Sequence, residues 1–331
     1  NWKRNSKGLF NFMMNKKDNI VVIAGPTAVG KSALGIELAK KLNGEIVSAD
    51  SMQIYKAMDV GTAKVTEEEM EGIPHHLIDI VEPDVNFNVN DFKNMANEAI
   101  DDILSRGKLP IMVGGTGFYI QAVLKDVDFT EENTDYLLRE YFDKKASTEE
   151  GRDELYNRLL IIDKDYADTV HKNNIKRVIR ALEYNYLTGE KMSVHNKQEE
   201  SREYKYNAAC IFLNDDRSRL YDRIDQRVDK MVEDGLFEEV KSLLDNDIPR
   251  NCTAIQAIGY KEVVDYYDGC TDKDRTIELI KQDTRHYAKR QVTWFIREKE
   301  FEEIDISTLN YDKKKITEVA MEIIKRKCEG I

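Results

Sequence analysis

The sequence predicts an α/β protein with a doubly wound parallel sheet core and a helical insertion domain, and three observations carry that prediction. Segments 20–24, 45–49 and 110–113 read as strands, with helical spacing between them. A glycine-rich loop joins the first strand to the first helix. From residue 126 to about 205 the chain turns charged, poor in Gly and Pro and without a convincing strand, until Ala208–Leu213 restores strand character.

The elements follow in chain order. Residues 1–18 read as an appended or disordered basic leader. After the apolar run Ile20–Ala24, the segment Gly25-Pro26-Thr27-Ala28-Val29-Gly30-Lys31-Ser32 matches G-x-x-x-x-G-K-[ST], and Ala33–Leu42 has helical apolar spacing. Strand, loop and helix are the context this phosphate-binding P-loop requires. Its glycines let backbone N–H groups approach phosphates, the helix N-terminus favours negative charge, Lys31 adds a point charge and Ser32 can hold Mg²⁺. A pyrophosphate or triphosphate ligand is expected, on a P-loop NTPase-like core of residues 19–125 and 206–331, at the carboxyl ends of the strands.

The strand ending at Ala49 delivers Asp50 next to the phosphate site if the two strands are neighbours. A carboxylate there suits a Mg²⁺ partner, a general base or a turn cap. Helical spacing over 91–105 precedes Leu109–Val113, which runs into Gly114-Gly115-Thr116-Gly117-Phe118-Tyr119. Those glycines would let a substrate approach the backbone beside the Thr116 hydroxyl, and they equally suit a tight strand-to-helix turn. Arg223 and Arg227 share one helix face and would hold a pyrophosphate or make surface ion pairs. Long amphipathic helices lead to a last strand near Phe301–Ile306.

A chain of 331 residues can bury one large core and a smaller one. No apolar stretch approaches the roughly 20 residues of a membrane span, and no signal-peptide pattern is present, so a soluble, cytoplasmic protein is expected. Cys210, Cys252, Cys270 and Cys328 lack C-x-x-C spacing, which argues against a zinc knuckle and a disulfide framework. The vicinal His75 and His76 read as positional rather than metal-binding. A formal charge of −12 weighs against a nucleic-acid partner. Only local basic clusters offset it, over His171–Arg180 and Arg285–Gln291, and each on its own reads first as a solvated helix face.

Further segments sharpen the picture: Ser48-Ala49-Asp50-Ser51-Met52-Gln53-Ile54-Tyr55, Met58-Asp59-Val60-Gly61-Thr62-Ala63-Lys64, Pro74-His75-His76-Leu77-Ile78-Asp79, Ile258-Gly259-Tyr260-Lys261-Glu262 and Tyr287-Ala288-Lys289-Arg290-Gln291-Val292-Thr293-Trp294-Phe295. With the P-loop and the Gly114–Tyr119 segment, and in this order, they resemble the tRNA dimethylallyltransferase (isopentenylpyrophosphate:tRNA transferase) family of bacterial type. The resemblance runs from about Asn19 to the C-terminus. It implies transfer of a dimethylallyl group from dimethylallyl diphosphate to the exocyclic amine of adenosine at tRNA position 37, with Mg²⁺ as cofactor, the anticodon stem-loop as partner, and a monomer.

Carried over by the resemblance, Asp50 is the general base. Lys31, Ser32 with Mg²⁺, and Arg227 stabilise the leaving diphosphate, which is held by Gly25–Ser32 and the Arg223–Arg227 pair. Thr116 contacts the target adenosine. The stretches Asp50, Ser51, Met52 and Gln53; Lys176, Arg177, Val178, Ile179 and Arg180; and Ala257, Ile258, Gly259, Tyr260, Lys261 and Glu262 correspond to tRNA-contacting segments, with Arg139 as a further equivalent and residues 126–205 as the tRNA-contacting insertion. Val29 stands where relatives often carry Ser, and Ser32 replaces the commoner Thr; both keep the cradle. A kinase would use the same cradle and Asp50, since P-loops ordinarily bind ATP or GTP, but no lid-like arginine cluster is assignable. An adenylate isopentenyltransferase shares the chemistry, and the basic helical insertion favours a polynucleotide acceptor over it. A Rossmann dehydrogenase fails on glycine spacing, and the cradle beside an acidic residue argues against a non-catalytic RNA-binding module.

Overall fold

The computed structural model describes residues 17–127, 129, 136–328, 330 and 331, so all but the last two residues of the expected leader lie outside it. Strands β1 (Asn19–Ala24), β2 (Gly44–Ala49), β3 (His75–His76), β4 (Leu109–Gly114), β5 (Asn207–Asn214) and β6 (Phe301–Asp305) form one sheet in the order β3-β2-β4-β1-β5-β6. Every pairing is parallel. The two-residue β3 was not expected: its hydrophobic signal is only His75 and His76, and it exists because Ile46 and Val47 of β2 pair with it in register.

Both faces of the sheet are covered, which is why the central strands β4, β1 and β5 read as near-continuous apolar runs. Successive side chains of β1 point to opposite faces. Val21 and Ile23 enter a core with Leu34 and Leu38 of α1 (Lys31–Leu42) and Ile323 and Ile324 of α14 (Lys313–Lys327). Ile20, Val22 and Ala24 enter another with Phe92, Ala96 and Ile100 of α3 (Val89–Ser105) and Ile120 and Val123 of α4 (Gly117–Leu124). Asn88 starts α3 with a reciprocal capping box: its side chain accepts from the amide of Asp91, whose side chain accepts in return from the Asn88 amide. A third core gathers Ile54, Tyr55 and Met58 with α11 (Leu236–Asp245) and α12 (Tyr260–Tyr267).

The chain divides into two compact units, one reaching Asp126 and resuming at Tyr204, the other Val127–Glu203. The second is helical where described: α5 (Tyr136–Ala146), α6 (Glu149–Ile162), α7 (Lys164–Ala167), α8 (Ile175–Thr188) and α9 (Met192–Glu200), packed around Phe142, Leu155, Leu159, Val178 and Leu182.

Candidate functional site

The loop Gly25–Ser32 leaves the carboxyl end of β1 and enters α1 through Gly30, whose φ of 103° belongs to the left-handed region that glycine adopts without strain. No side chain caps this helix start, so its first amides are left for a ligand. Lys31 Nζ curls back to donate to the Pro26 carbonyl at 2.7 Å. Burial pushes the Lys31 ammonium down to about 7, with the Asp50 carboxylate opposing and the Arg227 guanidinium adding to the shift. Arg227 comes from α10 (Arg217–Glu233), with Nη1 3.4 Å from Thr27 Oγ1. Burial, then the charge of Arg223 on the same helix face, lowers its pKa. Arg223 Nη1 lies 3.3 Å from Asp215 Oδ2. A cavity of about 880 Å³ opens here, lined by the loop from Ala28 to Ser32 and by Arg219, Arg223, Arg227, Tyr311 and Lys313. A cluster of cations around uncapped amides is built for an anion.

Asp50 does not follow a strand adjacent to β1: β4 lies between β2 and β1, so that part of the expectation is corrected. Its charge nevertheless reaches both Lys31 and Arg227. Asp50 Oδ1 caps the turn after β2, accepting from the amides of Met52 at 2.9 Å and Gln53 at 3.3 Å. Its other oxygen makes no hydrogen bond among the described residues. The Thr116 hydroxyl accepts from the Ser51 amide at 3.3 Å, which brings the loop after β4 against the loop after β2.

The long helix α13 (Lys273–Phe295) completes the site with residues read in the sequence only as part of a basic stretch and a family motif. Gln291 Oε1 accepts from the Thr27 amide and Nε2 donates to the Gly115 carbonyl, each at 2.9 Å. Burial, then the Asp50 charge, pushes the Tyr287 hydroxyl up to about 12, with Thr116 and Gln291 nearby opposing the shift. A side chain at Gly115 would collide with Gln291, and one at Gly117 with Trp294. These glycines therefore admit α13 rather than clearing space for a substrate. The signal in the sequence is the helical spacing of Ala288, Gln291 and Phe295, all buried: a glutamine on an apolar stripe.

Comparison with known proteins gives this arrangement its relatives. The family described as IPP transferase matches residues 53–299. The tRNA dimethylallyltransferase of Lachnoclostridium phytofermentans is 51% identical over 300 residues, covering 91% of this chain and 96% of its own length. That of Bacillus subtilis is 53% identical, covering 86% of this chain and 89% of its own. This chain belongs to the IPP transferase family. The crystal structure of the full-length tRNA isopentenylpyrophosphate transferase of Bacillus halodurans matches with a TM-score of 0.70 at 42% identity, covering 94% of this chain and 98% of that one. A eukaryotic dimethylallyltransferase acting on tRNA matches with a TM-score of 0.78 at 34% identity, covering 94% and 80%. These relatives do not favour the kinase and free-adenylate readings.

The segments that the family resemblance assigns to tRNA are sorted by their burial. In α8, Lys176, Arg177 and Arg180 are exposed, whereas Val178 and Ile179 are buried in the helical core and offer no side chain to a partner. Arg139 on α5 is exposed and forms an ion pair with Glu183. In Ala257–Glu262, Ala257, Gly259, Tyr260 and Glu262 are buried, leaving Ile258 and Lys261 partly accessible. Tyr260 donates to Glu239 Oε1 at 2.6 Å, and Glu239 also accepts from the amides of Asp59, Val60 and Gly61 at 2.7, 2.8 and 3.0 Å. Gln53 Nε2 donates to the carbonyls of Thr62 and Ala63, both at 3.2 Å. The Met58–Lys64 motif is thus a loop pinned by Gln53, Glu239 and Tyr260, and its Ala63 lines the cavity. His75 Nδ1 lies 2.8 Å from the Ile73 carbonyl and His76 Nε2 2.8 Å from Glu45 Oε2. Among the described residues no group of three or more His, Cys, Asp or Glu is placed to hold a metal, and no helix is long and apolar enough to cross a membrane.

Proposed function

We propose that the chain transfers the dimethylallyl group of dimethylallyl diphosphate to the N6 amine of adenosine at tRNA position 37, releasing diphosphate. The observation that carries the reading is the uncapped P-loop with Lys31 and Arg227, both within electrostatic reach of a carboxylate, Asp50, whose second oxygen is clear of the turn it caps. Gly25–Ser32 and the Arg223–Arg227 pair grip the diphosphate. As the bond from N6 to the prenyl C1 forms and the C1–O bond breaks, the departing diphosphate carries the developing charge, where preorganised amides and cations lower the barrier most. Asp50 takes the N6 proton, because a neutral aromatic amine is a weak nucleophile.

Ser32 would hold Mg²⁺. The donor set fits, since Ser32 follows Lys31 on the cavity wall and its hydroxyl would be an oxygen ligand of the kind Mg²⁺ accepts. When bound, the ion adds positive charge at the leaving group. Thr116 receives the adenine, which leaves its stack at a cost of a few kcal/mol, smallest in a loop. Contacts to the tRNA come from Asp50–Gln53, from Lys176, Arg177, Arg180 and Arg139 in the helical unit, and from Ile258 and Lys261. The protein acts as a monomer in the cytoplasm.

The test offers the protein Mg²⁺, an anticodon stem-loop with adenosine at position 37, and either dimethylallyl diphosphate or ATP, and weighs the RNA by mass spectrometry. The expected result is a gain of one dimethylallyl group with the prenyl donor, nothing with ATP, and nothing when guanosine replaces the target. A phosphorylated RNA, or prenylation of AMP in preference to the stem-loop, overturns the reading. Neutralising Lys176, Arg177 and Arg180 together is expected to weaken stem-loop binding and flatten its salt dependence, because fewer counterions are released.

A further inference from the structure

Gln291 is 6% exposed, yet both polar ends of its carboxamide are engaged, and each by the backbone of a different loop. The Thr27 amide belongs to the cradle after β1; the Gly115 carbonyl belongs to the loop after β4, next to Thr116. β1 and β4 are neighbours, so the two loops leave the same end of the sheet side by side, and the carboxamide spans them. Gly115 has room for nothing larger at this crossing. Thr116 in turn meets Ser51, the neighbour of Asp50. One side chain therefore ties the diphosphate cradle to the loops that carry Asp50 and Thr116. It also occupies the Thr27 amide, which leaves the amides from Ala28 onward for phosphate.

We infer that Gln291 is a positioning residue that sets the distance and orientation between the donor cradle and the Asp50–Thr116 pair. The inference rests on the prenyl-transfer reading above. Transfer requires the donor carbon and the acceptor nitrogen at near-attack distance, and a misplacement of about 1 Å costs on the order of 100-fold in rate. Substrate affinity is set elsewhere, by Lys31, the arginines and the remaining amides for the donor and by basic side chains for the RNA. Loosening the clamp therefore slows the chemical step and leaves both substrates bound.

Two variants separate the ends of the clamp. Gln291→Met keeps length and bulk and loses both hydrogen bonds. Gln291→Glu keeps an acceptor for Thr27 and loses the donor to Gly115. Single-turnover transfer onto the stem-loop, donor and stem-loop dissociation constants measured separately, and thermal melting are compared with wild type. Both variants are expected to lose about 100-fold in the transfer rate constant, with dissociation constants within about threefold and melting preserved. A wild-type rate constant in either variant, or a loss confined to donor affinity, overturns the inference. If Gln291→Met does not fold, Gln291→Glu and then Gly115→Ala, which displaces the carboxamide from the opposite side, are read by the same split; failure of all three to fold marks a purely structural residue and also overturns it. Wild-type protein that leaves the stem-loop unmodified removes the proposed reaction itself, a result distinct from any of these.

Discussion

Strand β2 has a carboxylate near its start and another just past its end, and the two keep opposite company. Glu45 is 1% exposed and saturated: Arg106 Nη2 at 2.7 Å, Lys108 Nζ at 2.7 Å and His76 Nε2 at 2.8 Å all converge on it. Hydrogen bonds from Arg106 hold its carboxyl well below the usual range against the cost of burial, and Lys108 and His76 add to the effect. Among the described residues Asp50 has only two backbone amides, both on one oxygen. The cations near it are turned elsewhere, Lys31 to the Pro26 carbonyl and Arg227 toward Thr27. A saturated carboxylate holds the fold together and is too weakly basic to take a proton. Among the described residues no ion pair joins Lys31 or Arg227 to Asp50, in contrast to Glu45 and its partners.

The sharpest way to break this comparison is at Asp50. Asp50→Asn retains the oxygen that caps the turn and removes the proposed base; single-turnover prenylation is expected to fall about 1000-fold with stem-loop binding unchanged. An unimpaired rate would place Asp50 with Glu45 among structural carboxylates. Lys31→Ala and Ser32→Ala come next, each expected to cost on the order of 100-fold in kcat/KM for the donor. Lys31→Ala should do so without lowering the melting temperature, since it removes a cation that burial disfavours.

At the other end of the strand the effect moves from rate to stability. Glu45→Gln removes the anion shared by Lys108, His76 and Arg106, of which Arg106 keeps Asp102, and because these groups are partly open to solvent the expected loss is about 2 kcal/mol, with turnover of the folded enzyme unchanged. The sign with pH follows from the lowered carboxyl: its contribution is present above the unfolded value of about 4.3 and fades as pH falls toward the folded one. Melting curves of wild type and Glu45→Gln should therefore converge on acidification, and a constant gap would contradict the pairing.

The smallest expected effect is at Lys31. Its ammonium, pushed down to about 7, is largely neutral at pH 8 in the free protein, and an arriving diphosphate draws a proton back onto it. Donor binding should take up protons at pH 8 and almost none at pH 6, with affinity declining as pH rises through 7. Calorimetry in buffers of different ionisation heat measures this directly, and binding at pH 8 without proton uptake would contradict it.

What the sequence by itself determined is what local chemistry determines. Gly25–Ser32 is legible because strand, loop and helix are contiguous and the motif's own glycines and lysine specify the cradle. The apolar runs of β1, β4 and β5 are legible because a sheet covered on both faces leaves no polar alternation to obscure them. The helical character of the second unit is legible in its lack of strand-like runs. Only the tertiary structure decided that β4 separates β2 from β1, so that Asp50 reaches Lys31 and Arg227 through space across an intervening strand. It also decided that Val178 and Ile179 face one core and Tyr260 another, that Glu262 is buried, and that Gln291 meets loops more than 150 residues earlier. A glutamine's two hydrogen bonds have no sequence period and no preferred separation along the chain. They exist because α13 lies where Gly115 and Gly117 let its side chains approach the backbone, and that meeting is a property of the packed fold.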